Sequence, residues 1–420
     1  MKLLKLIVWT VAVCLPLHPA LALIANYTPF IVGGRAAGMG GAVSATATDS
    51  DAAYHNPAGL GLVTRNSISV SAALYGYQSM NMEDRVAPGV DMDASTFVTI
   101  PSQLSMVYKL APDIAGAFSV FVPSQLSVSQ INSPTAQNAY SLSISDQTLY
   151  LGPSIGWKVS DRLTLGASIF AIYDEHAIFE NVVFRNPVMI GSENIDVWNW
   201  GVQGLLGAQY QITGMWRAGL TLQSPSWILS GNDALNGGNL QSSGHNSDNQ
   251  VWDYYSDDVE VNMRTPLSAR GGLAWGLAKQ YGIEFDVTWH ASDQYAELTG
   301  ETDSGIPFEN DRTRESVVDF ALGGEYYVAR TWPLRLGCFT SRSTQPEVQA
   351  LDENQPDQVN LYGITMSAGR EEGPVEINVG INYIWGSGHA VGQPFLDSES
   401  TIVNASESYL YFFVSTAYLF

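Results

Sequence analysis

The stretch Val375-Glu376-Ile377-Asn378-Val379-Gly380-Ile381-Asn382-Tyr383-Ile384-Trp385-Gly386 decides the fold. Extended backbone turns successive side chains to opposite faces, so Val375, Ile377, Val379, Ile381, Tyr383 and Trp385 share one face. Glu376, Asn378, Gly380 and Asn382 share the other. The period is two and not 3.6, which makes this a strand with one apolar side. Strands of soluble proteins usually span about five or six residues. This one runs past ten, the length that crosses a bilayer at a tilt.

The rhythm recurs along the chain. Ile68, Val70, Ala72 and Leu74 alternate with Ser67, Ser69, Ser71 and Ala73. Leu163, Leu165, Ala167 and Ile169 alternate with Thr164, Gly166 and Ser168, and Ile283, Phe285, Val287 and Trp289 with Glu284, Asp286 and Thr288. The apolar stripes end in Tyr108, Trp157, Tyr210, Trp216, Trp275, Trp289, Tyr383 and Trp385. Aromatic girdles of this kind mark where barrel strands leave the hydrocarbon. The chain closes on Leu410, Phe412, Val414, Thr416, Tyr418 and Phe420, one more alternating face with a terminal Phe.

Tight turns are predicted near Ala111-Pro112-Asp113, Ser160-Asp161, Thr213-Gly214, Ala278-Lys279, Ala329-Arg330 and Glu371-Glu372-Gly373. Longer polar segments near 78–95, 129–141, 179–195, 224–257, 298–313, 344–357 and 387–405 read as outer loops. Six turns and seven loops join fourteen strands, so the predicted fold is a 14-stranded antiparallel transmembrane β-barrel.

Composition agrees. Only 14% of residues are charged, with 39 Gly, 11 Trp and 20 Tyr, too apolar for a disordered chain. A net charge of −22 opposes contact with a phosphate backbone and excludes a nucleic-acid partner. Lys2 and Lys5, the apolar run Leu6 to Leu17 and Ala20-Leu21-Ala22 read as a signal peptide over residues 1–22. Cys338 is then the only cysteine of the remaining chain, which excludes an intrachain disulfide.

Residues 23–64 do not alternate. They run Gly33-Gly34-Arg35-Ala36-Ala37-Gly38-Met39-Gly40-Gly41-Ala42, then Asp49-Ser50-Asp51-Ala52, then Asn56-Pro57-Ala58-Gly59-Leu60. Such small residues suit a compact element filling a narrow space, and Asn-Pro starts a turn. These motifs resemble the FadL-type outer-membrane transporters of long-chain fatty acids and other hydrophobic compounds. The resemblance implies an N-terminal hatch (residues 23–64) plugging a barrel formed by residues 65–420, with Asn56, Pro57, Ala58, Gly59 and Leu60 as its central motif. It implies a hydrophobic ligand, a fatty acid or hydrocarbon, taken up by outer loops and released sideways near a kinked third strand. It also implies a Gram-negative outer-membrane setting among lipid and lipopolysaccharide, and the last strand, ending at Phe420, resembles the one that barrel-assembly machinery recognises. A monomer is expected. Leu23 to Phe30 matches nothing in the family's N-terminal pattern.

Pro-Ser-Gln-Leu-Ser occurs twice, at 101–105 and 123–127. With a turn at Pro112, Pro101 and Pro123 lie eleven positions to either side, at one height on neighbouring strands. Proline donates no ladder bond, so a lateral gap is expected there. Pro153 is expected to add a break on the other side of the third strand. The opposite reading ends the regular strands at the rim.

With the apolar parity facing lipid, Lys109, Lys158, Arg162, Arg217, Arg264, Arg270 and Arg335 point inward, as do Glu260, Glu284, Asp286, Asp319, Glu325 and Glu376. Most should pair with each other or with Asp49 and Asp51, because a lone buried charge is costly. Arg264 or Arg270 is the candidate for holding a ligand carboxylate. Trp227, Ile228 and Leu229, with Trp252, Tyr254 and Tyr255, are candidates for an apolar capture groove. No His-Glu-x-x-His, Gly-x-Ser-x-Gly, phosphate loop or Cys pair is present, so neither catalysis nor a metal or cofactor is expected. The alternative role for such a barrel is a secretion or assembly partner, or an adhesin, without transport.

Overall fold

The computed structural model describes residues 25–87, 90–135, 138–185, 188–242, 250–302, 305, 307–349, 357–392 and 401–420. The expected signal peptide lies outside these residues, as do the side chains of Trp252, Tyr254 and Tyr255.

Among the described residues eighteen strand segments form one antiparallel sheet. They are β1 (Ser67–Ala87), β2 (Val90–Ala111), β3 (Ile114–Thr135), β4 (Asn138–Lys158), β5 (Leu163–Arg185) and β6 (Val188–Gln211). Next come β7 (Trp216–Gln223), β8 (Trp227–Ser242), β9 (Gln250–Val261), β10 (Ser268–Leu277), β11 (Tyr281–His290) and β12 (Asp293–Glu301). The last are β13 (Pro307–Arg314), β14 (Val317–Val328), β15 (Trp332–Ser341), β16 (Gln358–Glu372), β17 (Val375–Gly392) and β18 (Thr401–Leu419). Four transits of the wall are each broken into two segments: β7 with β8, β9 with β10, β11 with β12, and β13 with β14. β6 pairs with both halves of the first, and β11 and β12 pair separately with β14 and β13. Eighteen segments thus make fourteen transits, and the ladder from Ser67↔Leu419 to Met82↔Ala405 closes the barrel.

Parity sets the two faces. Every girdle aromatic named above is exposed on the outside, as are Phe412, Tyr418 and Phe420. Ser67, Ser69 and Ser71 on the opposite face of β1 are buried. The backbone N–H of Phe420 donates to Asn66 O at 2.9 Å, and its ring meets Tyr108 edge-on across the seam.

The tight turns fall at the expected places, but the outer segments differ from expectation. Pairing continues through most of them, reaching Met82↔Met92, Asn132↔Tyr140, Arg185↔Val188 and Gly392↔Thr401. A ladder is held by backbone bonds, so polar side chains outside the bilayer do not end it. Polarity marked the end of the hydrocarbon, not the end of the strand. Pairing of β3 with β4 also runs through Phe118↔Pro153, so Pro153 leaves no break in that seam.

Residues 25–64 pack against the inward face of this wall. They form the short helices α1 (Gly34–Gly38) and α2 (Ala52–His55) and a 3-10 turn, Pro57–Leu62. Ala36, Ala52, Ala53, Ala58 and Leu60 have no exposed surface. Asn56 caps the 3-10 turn, its Oδ1 accepting from Ala58 N at 3.2 Å, while Pro57 supplies the fixed φ favoured at a first helical position. The Asn56 Nδ2 donates to Ser44 O at 2.7 Å and to Ala208 O of β6 at 3.1 Å. Two wall glycines make this seat possible. A Cβ on Gly207 would lie 2.1 Å from Asn56 Oδ1, and one on Gly166 would lie 2.3 Å from the Pro57 carbonyl carbon.

Candidate functional site

Beyond this segment the wall encloses a cavity of about 140 Å³. It lies where the four transits break, bordered by the Met263–Pro266 connection between β9 and β10. The interrupted ladders are replaced by bonds such as Ser226 N to Thr265 O at 3.0 Å and Ala291 N to Leu267 O at 2.9 Å. Tyr54 and His55 of the N-terminal segment face the cavity from one side, and Pro123 and Ser124 of β3 from another.

The apolar side is aromatic. Tyr54 and Tyr150 line it with ring centroids 6.0 Å apart, and behind them, outside the lining and fully buried, Phe121 packs 5.3 Å from Tyr54 and Phe170 5.8 Å from Tyr150. Tilted and edge-on contacts at these separations are favourable between rings and equally suit an aromatic guest.

The opposite side is polar. Arg264 makes two contacts of 3.0 Å with the Asp293 carboxylate and stacks 4.6 Å above the Tyr295 ring. Both ends of its fork are occupied. Arg270 has neutral partners: Nε donates to Thr288 Oγ1 at 3.0 Å, and Nη1 lies 3.1 Å from His55 Nδ1. His55 Nε2 lies 3.0 Å from Val32 O, so Nε2 carries the proton and Nδ1 accepts from Arg270. Burial, reinforced by the Arg270 charge, pushes the His55 pKa down to about 3 and keeps the ring neutral.

The two candidate arginines therefore differ, although both line the cavity. Trp227 and Leu229 do not join them. They begin β8 on its outward parity, 58% and 71% exposed, and with Ile228 are absent from the cavity lining. Arg162 and Glu260 are also exposed, and Lys158 pairs with Asp161 at the turn.

Wall acids and the N-terminal segment meet in a way the charge count did not suggest. Among the described residues Glu284 and Asp286 take no cation in direct contact. They accept the backbone N–H groups of Val43, Ser44 and Ala45 and the Thr46 hydroxyl, a turn whose donors have no ladder partner. Asp51 Oδ2 likewise accepts from Arg35 N at 3.1 Å and Ala36 N at 3.2 Å, at the start of α1. Burial, then the neighbouring Asp49, pushes the Asp51 pKa up to about 7. The paired charges are Arg35–Glu325 at 2.9 Å, Arg335–Glu325 at 3.1 Å and Arg335–Glu371 at 2.7 Å, facing a second, larger cavity.

The stretch that matched no motif is also anchored. The Tyr27 ring stacks 4.5 Å from His290 beneath Arg314, and Asn26 Nδ2 donates to Ser341 O at 2.6 Å. No spacing in the sequence signals this, because the partners lie more than 260 residues away.

At the third strand, β2 and β3 pair from Ala111↔Ile114 only as far as Gln103↔Phe121. Continuing that register sets Pro101 opposite Pro123. The β3–β4 ladder shifts between Phe121 and Ser124, so β3 bulges at Pro123. The cavity borders this unpaired part of β3.

A closed fourteen-transit barrel with its apolar residues outside and its own N-terminal segment within has the architecture of an outer-membrane β-barrel protein. Residues 23–407 match the model of one family, "Outer membrane protein transport protein (OMPP1/FadL/TodX)", and the chain belongs to that family. It is a Gram-negative outer-membrane protein that transports hydrophobic compounds.

Solved structures share the fold. The Pseudomonas putida toluene transporter TodX superposes with a TM-score of 0.70 at 16% identity, over 92% of this chain and 97% of that one. A Pseudomonas aeruginosa FadL homologue gives 0.66 at 14%, over 94% and 99%. The Ralstonia pickettii toluene transporter TbuX gives 0.64 at 17%, over 94% and 100%. No curated protein sequence matches the chain.

Proposed function

We propose that the barrel carries small aromatic compounds from outside, holds them in the aromatic cavity above Tyr54 and releases them sideways into the bilayer between β2 and β3. The N-terminal segment acts as the hatch that bars the straight route, with Asn56-Pro57-Ala58-Gly59-Leu60 as its seat. The single observation that carries this reading is the end of the β2–β3 ladder at Gln103↔Phe121 beside a cavity bordered by Pro123. Size favours the aromatic cargo over a long-chain fatty acid: cavities of roughly 150 Å³ hold benzene, and this one is about 140 Å³. Two of the structural neighbours are described as toluene transporters, which supports the same class.

Within the cavity Arg270 is the group available to a cargo carboxylate, since Arg264 is already bound to Asp293. In proteoliposomes, toluene and benzoate are both expected to enter faster than through protein-free vesicles. Arg270→Gln should reduce benzoate binding about ten- to hundredfold, the size of a lost charged hydrogen bond, and leave toluene nearly unchanged. Equal loss for both removes Arg270 from ligand recognition, and no uptake of either removes the transport reading.

A further inference from the structure

Where β3 has lost β2, its exposed edge has found another partner. Gln78 of β1 points into the barrel and is 1% exposed. Its Nε2 donates to Gln125 O at 3.1 Å, and its Oε1 accepts from Ser127 N at 3.1 Å. The other Nε2 hydrogen is directed to Tyr411 Oη of β18 at 3.0 Å. Both amide hydrogens and the amide oxygen are therefore used.

The two β3 groups are those that β2 would have taken. Extending the register of Gln103↔Phe121 places Thr99 opposite Gln125 and Phe97 opposite Ser127. The Thr99 N–H would donate to Gln125 O, and Phe97 O would accept from Ser127 N. One side-chain amide, carrying a donor and an acceptor in the spacing of a peptide group, stands in for both. Asp or Leu at this position has no such pair to offer. On the other side of the amide, Tyr411 packs edge-on against Phe30 of the N-terminal segment, with centroids 5.2 Å apart.

We infer that Gln78 is a positioning residue that holds the lateral gap open, by satisfying the β3 edge so that it does not zip onto β2. The prolines remove donors only at positions 101 and 123. They do not prevent pairing above them at Thr99–Gln125 and Phe97–Ser127. Without the Gln78 amide, Gln125 O and Ser127 N become unpaired, partly buried groups, and the edge of β2 is the partner within register. The inference rests on the lateral route proposed above, but its test needs no ligand.

The test uses the full chain in a Cys338→Ser background, with Val98→Cys and Leu126→Cys placed opposite each other in the extended register. Oxidation in detergent micelles is followed by mass spectrometry, and folding is monitored by heat-modifiable gel migration. With Gln78 present the disulfide should form slowly. Gln78→Leu should accelerate it roughly five- to thirtyfold, the population shift that follows loss of one or two net hydrogen bonds. Gln78→Glu keeps the acceptor and loses both donors, so an intermediate rate is expected from a milder change that also serves if the Leu variant fails to fold. Equal rates in all three chains overturn the role of Gln78 and leave the lateral route standing. Rapid oxidation already in the Gln78 chain overturns the open gap, and the lateral route with it.

Discussion

The seam between β5 and β6 and the seam between β2 and β3 are made of strands of similar length, yet they pair differently. β5 and β6 are joined without interruption from Leu163↔Tyr210 to Arg185↔Val188. β2 and β3 are joined only below Gln103↔Phe121. The unbroken seam contains Gly166 and Gly207, which admit the backbone of Pro57 and Asn56 against the wall. The broken seam contains Pro101 and Pro123 at one height. Glycine removes a side chain and keeps the ladder donor; proline keeps a side chain and removes the donor. The first leaves room for the N-terminal segment against the wall, and the second takes ladder donors out of the seam.

The comparison breaks most severely if the open seam can be closed. Replacing Pro101 and Pro123 together by Val restores two donors with a residue suited to strands. Toluene entry into proteoliposomes is expected to fall about tenfold or more, with the folded fraction at high temperature unchanged or raised. Unaltered uptake would show that the two prolines are not what keeps this seam apart.

The closed seam offers the next effect. Gly207→Ala forces a methyl group to within 2.1 Å of Asn56 Oδ1, an overpacking expected to cost about 1–3 kcal/mol. Liposome swelling should then report leakage of small sugars as the segment lifts from its seat. A tight and equally stable Ala variant would mean that Asn56 has room to shift.

A smaller effect concerns the other end of the same segment. The Asp51 pKa is pushed up to about 7, above its ordinary value of 3.8, so the folded chain binds this proton more tightly than the unfolded chain. The associated stability is fully present below about pH 4 and is lost as pH rises through about 7. The apparent melting temperature should fall between pH 5 and pH 8 in the parent. Asp51→Asn keeps an acceptor for Arg35 N and Ala36 N and should flatten that dependence, by about 2 kcal/mol across the interval. An identical slope in both chains would remove Asp51 as its source.

Much of the wall was legible because strand parity is local. Ser67, Ile68, Ser69 and Val70 declare their faces from four consecutive letters, and the girdle aromatics confirm which face meets lipid. The family motif was equally readable, since Asn56 and Pro57 cap their own turn through neighbours two residues away. The ends of strands were less readable, because polar residues beyond the bilayer keep pairing through their backbones. Site chemistry was the hardest to read. Arg264 and Arg270 look alike in sequence, and only their partners, Asp293 for one and Thr288 with His55 for the other, separate them. Trp227 and Leu229 looked like a capture groove, but their parity on β8 turned them outward.

What the amino-acid order determined by itself was the period-two alternation, the tight turns, the aromatic ends and the place where proline interrupts a seam. All of these depend on the geometry of a few adjacent peptide units. Only the closed tertiary structure decided which glycines face the N-terminal segment, which arginine has no carboxylate partner, and that Gln78 meets Gln125 and Ser127. Those contacts join residues dozens to hundreds of positions apart, and they exist because barrel closure brings distant strands around one bore.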